Sequence, residues 1–158
     1  MLWWEKILKK RESMSEYNLR NFKVHEFVDP NTYKLRGDDS TSLMDWRILW
    51  TADEIRDYFG KPMIINNWYY NGNRKWSGFR TPSSPYYSRH SQHSFGRAID
   101  FIIPGIKSKD IRKEIINNPT KDAFKYITSL EDFENMSWVH IDCRVLNENQ
   151  QRYFIFSK

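Results

Sequence analysis

The 158-residue chain contains a single cysteine, Cys143. One thiol cannot form an intramolecular disulfide, so stapling of the fold is excluded. A cysteine-based zinc finger is excluded for the same reason, and any zinc held here must take histidine and carboxylate ligands. Long apolar runs are missing as well. None approaches the roughly 20 residues that a helical membrane span needs. The amphipathic opening, Met1-Leu2-Trp3-Trp4-Glu5-Lys6-Ile7-Leu8-Lys9-Lys10, lacks the uninterrupted apolar core of a secretory signal. The expectation is synthesis in the cytoplasm without a signal peptide, so that export, where it occurs, depends on something else. There is no internal repeat, no low-complexity segment, and no helix-turn-helix, zinc-finger or RNP signature, which makes nucleic acid an unfavoured partner.

Aromatic residues are plentiful, with 7 Trp, 9 Tyr and 10 Phe. They support a compact core despite a mean hydropathy of -0.79, and they also suit the lining of carbohydrate or peptide grooves. The net charge of +5 draws the protein toward polyanions such as nucleic acid, an anionic membrane or the acidic polymers of a bacterial wall. The charge is spread along the chain, and only Lys6, Lys9, Lys10 and Arg11 form a small cluster.

Patterning divides the chain into an N-terminal segment, 1–41, and a domain, 42–158. The segment is expected to begin as a helix over 1–14, with Trp3, Trp4, Ile7 and Leu8 on one side docking on the domain. Residues 15–41 read as irregular, with turn chemistry at Asp29-Pro30-Asn31 and Gly37-Asp38-Asp39-Ser40. His25 is expected to serve packing or to lie at the surface. In the domain, helical spacing from Ser42 runs through Trp46, Leu49, Ala52 and Ile55 to a stop at Gly60 and Pro62. A buried strand is expected over 62–70, and a second over 98–103, ended by Pro104-Gly105. Between them lies a long polar and aromatic loop, 71–92, whose length points to function. Then follow a helix capped by Ser108, a helix from Thr120 through Leu130, a strand over 137–145 and a final strand over 152–156, the last two forming a hairpin. The class is α+β, with helices packed on a small, mainly antiparallel sheet.

Three residues in this frame carry metal chemistry. Strand alternation puts Trp138, His140 and Asp142 on one face and Ala98 and Asp100 on one face of another strand. If the two strands are neighbours, His140 and Asp100 can point at one ion, with His93 arriving from the preceding loop. Gly96 allows that connection to turn tightly, and Ala98 leaves room beside the ion. Two histidines and one carboxylate with an open fourth position form a catalytic rather than a structural zinc pattern. Spacing alone leaves the plain alternative open, in which Asp100 hydrogen-bonds in the core while His93 and His140 sit at the surface.

Ser91-x-His93-x-x-Gly96-x-Ala98-x-Asp100, followed by Trp138-Val139-His140-Ile141-Asp142, resembles the M15 zinc metallopeptidases, which include D-Ala-D-Ala carboxypeptidases and phage endolysins and share a zinc fold with the hedgehog domain. The likeness spans roughly residues 44–156 and is nearest to the small phage-type members. It implies a hedgehog/DD-peptidase-like fold, one Zn2+ on His93, Asp100 and His140, and hydrolysis of peptide bonds in bacterial peptidoglycan. It implies action on the cell wall after phage lysis or as a virion component, with cell-wall peptide and virion proteins as partners. Arg80, in Ser77-Gly78-Phe79-Arg80, inherits substrate binding or oxyanion support, and Ser91 is assigned to substrate binding with it. The chain departs from the family at the general base. Many members carry Glu or Asp three residues before the last histidine, where this chain has Ser137. Glu134, six before His140, matches the hedgehog-type offset and is the expected base. Asp142 is a second carboxylate nearby, better suited to orienting a ligand, and His90 is a third group within reach. If no base is competent, the alternative is a catalytically inactive zinc-binding module of a phage particle.

Overall fold

The computed structural model describes residues 17–149 and 154–156. The helix expected over 1–14 lies outside the described residues. Among the described residues, three α-helices, α1 (Pro30–Arg36), α2 (Trp46–Phe59) and α3 (Ser108–Asn117), accompany a four-stranded sheet of β1 (Ala98–Phe101), β2 (Ser129–Glu131), β3 (Val139–Asp142) and β4 (Phe154–Phe156). The strand order is β1-β3-β2-β4. Both pairings of β3 are antiparallel, while β4 runs parallel to β2. The class is therefore α+β with a small, mainly antiparallel sheet. The expected hairpin of the last two strands is not formed, because β4 crosses to β2 and leaves β3 in the middle of the sheet.

Alternation divides the three antiparallel strands into two faces. Ile99 and Phe101 of β1, Val139 and Ile141 of β3, and Leu130 of β2 join one core cluster with Ile48, Ala52 and Ile55 of α2 and Ile111 and Ile115 of α3. Ala98, Asp100, His140, Asp142, Ser129 and Glu131 occupy the other face, and the register pairs Asp100 with His140 and Ala98 with Asp142.

Residues 17–43 are less irregular than their sequence suggests. Asp29 caps α1 by accepting hydrogen bonds from the backbone of Asn31 and Thr32, with Pro30 in the first turn. Phe22 and Phe27 enter the same core cluster as the sheet. His25 is buried and stacks on Tyr69 at a centroid distance of 4.0 Å, the packing role expected of it.

Several element boundaries differ from expectation for local reasons. Helix α2 starts at Trp46, not Ser42, because Asp45 accepts from the Arg47 backbone and acts as the cap. The residues before it, Gly37–Leu43, form 3-10 turns. The strand expected over 62–70 reduces to one bridge, Ile64 to Ile102, and Trp68–Tyr70 closes into a 3-10 turn. Ser108 is the first residue of α3 rather than its cap, and its hydroxyl donates instead to the Ser137 carbonyl at 2.8 Å. The helix expected from Thr120 through Leu130 is a 3-10 turn, Asp122–Phe124, followed by β2. The strand expected over 137–145 is shortened to β3.

Candidate metal centre

His93 reaches the site from a 3-10 turn, Gln92–Phe95, whose start is capped by Ser91 accepting from the His93 backbone. Gly96 ends the turn at φ +66, and a side chain there would overlap the Leu43 carbonyl. The loop before it is pinned to β1, since the Asp100 backbone donates to the Ser77 carbonyl at 2.7 Å. Gly78 lies so close to the Phe27 backbone that no side chain fits. These two close approaches set His93 opposite the β1–β3 ladder.

His93 Nε2, His140 Nδ1 and Asp100 Oδ1 converge. The separations are 3.2 Å between the two nitrogens, 2.8 Å from His140 to Asp100 and 3.3 Å from His93 to Asp100. All three residues are buried, and the three atoms are close enough to one another to hold one metal ion.

The far side of each ring determines what the near side offers. His93 Nδ1 lies 2.8 Å from the Gly78 carbonyl, an acceptor only, so Nδ1 carries the proton and Nε2 turns a lone pair toward the centre. His140 Nε2 lies 3.2 Å from Asp142 Oδ2. Donation there leaves Nδ1 as a second lone pair facing the first. Two lone pairs and a carboxylate oxygen meeting at these distances repel one another unless a cation sits among them. Without a metal, that cation is a proton on His140. Burial opposes its charge, but the bonds to Asp100 and Asp142 outweigh burial and push His140 up to about 10. His93 is held below its ordinary value, chiefly by burial. Burial pushes Asp100 up, yet the two histidines hold it well below the usual carboxylate range.

Asp142 stands behind His140, completely buried, and does not line the cleft in front of the centre. Arg144 grips it with two donors, Nε to Oδ1 at 2.8 Å and Nη2 to Oδ2 at 2.5 Å. Burial raises its pKa, but these bonds and His140 bring it below the ordinary value. Its contacts orient the His140 ring, and it does not face the cleft. Arg80 donates from Nη2 to the second oxygen of Asp100 at 2.6 Å and from Nε to the Trp76 carbonyl at 2.7 Å. It also lines the cleft, so it both braces the Asp100 carboxylate and presents its charge to the cleft. Arg74 donates to the Asp100 carbonyl from the other side. Cys143 is buried, and burial pushes its thiol up to about 12, which removes it as a nucleophile.

The cleft has a volume of about 680 Å³ and is lined by much of the loop before His93, including Trp76, Tyr86 and the exposed His90, together with Trp138 just before β3. Glu134 does not line it and is exposed on the turn before β3; Ser137 is exposed too. Glu131, unremarked in the sequence, does line it. The structure thus brings together His93, Asp100, His140, Arg80 and Ser91, sets Asp142 one layer back, and leaves Glu134 outside. The signal that could have found Glu131 is the β-branched pair Ile127-Thr128, which favours a strand where helical spacing was read. Comparisons with protein-family models, with curated proteins and with solved structures find no match for this chain.

Proposed function

We propose that this chain is a zinc-dependent peptidase that hydrolyses peptide bonds of bacterial peptidoglycan and derives from a phage. The observation that carries the reading is the convergence of His93 Nε2, His140 Nδ1 and Asp100 Oδ1, with the far nitrogens of both rings committed to acceptors. A tetrahedral zinc with bonds of about 2.0–2.1 Å holds its ligand atoms about 3.3 Å apart. The three separations, 2.8 to 3.3 Å, lie close to that span. Two nitrogens and one carboxylate oxygen also suit zinc better than calcium or magnesium, which prefer all-oxygen shells. When bound, zinc would supply a Lewis acid that acidifies water and polarises a carbonyl.

The residues around the ligands fit that chemistry. Asp142 fixes the His140 ring through Nε2, and the Gly78 carbonyl fixes His93 through Nδ1. Arg80, held by Asp100 and Trp76, presents a permanent charge to a substrate carboxylate or a developing oxyanion. Trp76, Tyr86 and Trp138 offer flat apolar walls to a peptide.

Incubation of the zinc-loaded protein with purified peptidoglycan tests the reading, with release of new amino groups as the signal and His93→Ala as the control. The expected result is one zinc per chain and release that disappears in the variant. One zinc per chain with no release from any wall type would overturn the peptidase and favour the non-catalytic zinc module, which Ser137 at the family's base position supports.

A further inference from the structure

We propose that Glu131, and not Glu134, is the carboxylate that takes the proton from the attacking water. This rests on the zinc-peptidase reading above. β2 pairs with β3 through Ser129 to Asp142 and Leu130 to Ile141. The next step of that antiparallel register sets Glu131 opposite His140, whose other neighbour is Asp100. Cross-strand partners share a face of the sheet. Asp100, His140 and Glu131 therefore form one row across three strands, with Glu131 on the far side of His140 from Asp100.

Three further observations bear on its role. First, the cleft contains two carboxylates, Asp100 and Glu131. Asp100 is committed to His140, His93 and Arg80, whereas Glu131 makes no side-chain hydrogen bond or ion pair among the described residues, although its charge acts on His140. Second, Glu131 lines the cleft without being one of the three clustered residues, so it is left free of the metal-holding set. Third, its backbone pairs with Phe156 of β4 and directly follows the Leu130–Ile141 pair of the β2–β3 ladder, so the sheet sets which face its side chain takes. Glu134 has none of these features and is exposed on a turn.

The step balances with water as the only co-reactant. A Glu131 carboxylate oxygen takes one proton as the water oxygen bonds to the scissile carbonyl carbon. That proton then passes to the amide nitrogen as the C–N bond breaks, leaving a carboxyl group, a free amine and Glu131 as it began.

The test uses the full zinc-loaded chain as wild type, Glu131→Gln, Glu131→Asp and Glu134→Gln. Three quantities are measured: zinc per chain, affinity for acetohydroxamic acid by calorimetry, and amine release from peptidoglycan. A hydroxamic acid binds such a centre while passing its proton to a neighbouring carboxylate, so it reads the base without turnover. The expected result is one zinc in all four proteins. Glu131→Gln then binds the hydroxamate at least tenfold more weakly and loses about 100-fold or more in hydrolysis. Glu131→Asp recovers part of both, and Glu134→Gln matches wild type. Wild-type hydroxamate affinity in Glu131→Gln, or the loss appearing in Glu134→Gln instead, overturns the proposal. If wild type binds zinc but cleaves no wall peptide, the peptidase reading fails, while the hydroxamate series still decides whether Glu131 is the proton acceptor at the centre. If wild type binds no zinc, both fall.

Discussion

The two faces of the β1–β3–β2 sheet are built by alternate residues of the same strands, yet they are held by different physics. One face carries Ile99, Phe101, Val139, Ile141 and Leu130 into the core. The other carries Asp100, His140, Asp142 and Glu131. Exposure does not separate them, since every residue of β1 and β3 is buried. The apolar face is stabilised by area and volume, and neighbours can substitute for one another at modest cost. The polar face is stabilised only where each donor meets an acceptor, because a buried polar group without a partner is costly. Asp100 answers to His140, His93 and Arg80, and Asp142 answers to His140 and Arg144. Burial is thus shared by the two faces, and directionality is what makes one of them a site.

The comparison is tested most forcefully from the apolar side. Phe101 is completely buried between the helices and the sheet. Phe101→Ala is expected to cost about 3–5 kcal/mol in urea unfolding. The folded fraction should still bind one metal ion, because no ligand lies on that face; loss of metal binding at full foldedness would show that the faces are not separable. The next largest effect comes from the polar side. Free zinc at about 1,000 times its dissociation constant should stabilise the wild type by about 4 kcal/mol. Thermal melts with and without chelator would measure this, and the shift should vanish in His93→Ala yet persist in Phe101→Ala. A zinc shift surviving in His93→Ala would mean that the ion sits elsewhere.

Legibility in the sequence follows the same division. The α+β class and both strands that carry the ligands were readable, because alternation through Ala98–Phe101 and Val139–Asp142 is local. Alternation sets Asp100 and His140 on one face, but His93, on the loop before β1, joined them as a set only through the likeness to the M15 peptidases. Element ends were lost wherever a tertiary partner competed with local propensity. Ser108 looks like a cap, but its hydroxyl donates to Ser137. Residues 62–70 look like a strand, but most of their backbone bonds go to loops, as with Asn66 to Glu26 and Asn67 to Arg74. Glu131 was hidden by helical spacing that ran on into β2. Glu134 stands at a suggestive offset from His140, but an offset along the chain says nothing about which side of a turn a side chain takes.

A smaller effect separates the groups that touch the centre from those behind it. Asp142→Asn keeps the shape of the side chain while removing the charge that Arg144 and His140 share. Losing such an orienting carboxylate typically costs 10–100-fold in metal affinity, about 1.4–2.7 kcal/mol. Zinc competition against a chromogenic chelator would measure it. An affinity unchanged by Asp142→Asn would mean that Gly78 and Asp100 alone fix the rings.

The smallest effect contrasts two kinds of buried histidine. His93 and His140 have a partner for each ring nitrogen. His25 is buried against Tyr33, Trp68 and Tyr69, and its Nε2 has no hydrogen-bond partner. Burial holds its pKa below the ordinary value, with Asp38 acting weakly in the opposite direction. The sign follows from linkage. The unfolded chain protonates His25 near its ordinary pKa of about 6.5, whereas the folded chain resists until lower pH. The unfolded state then binds more protons, so stability present above that pKa is lost as pH falls through the folded value. His25→Phe keeps the ring packing and removes the titration. The drop in unfolding free energy between pH 7.5 and 5.5 should therefore be smaller in the variant. Both proteins must carry the same metal content, because the His140 proton and the metal compete for one place. An equal drop in the two proteins would mean that a partner reaches Nε2 in solution, and His25 would then join the satisfied histidines of the site.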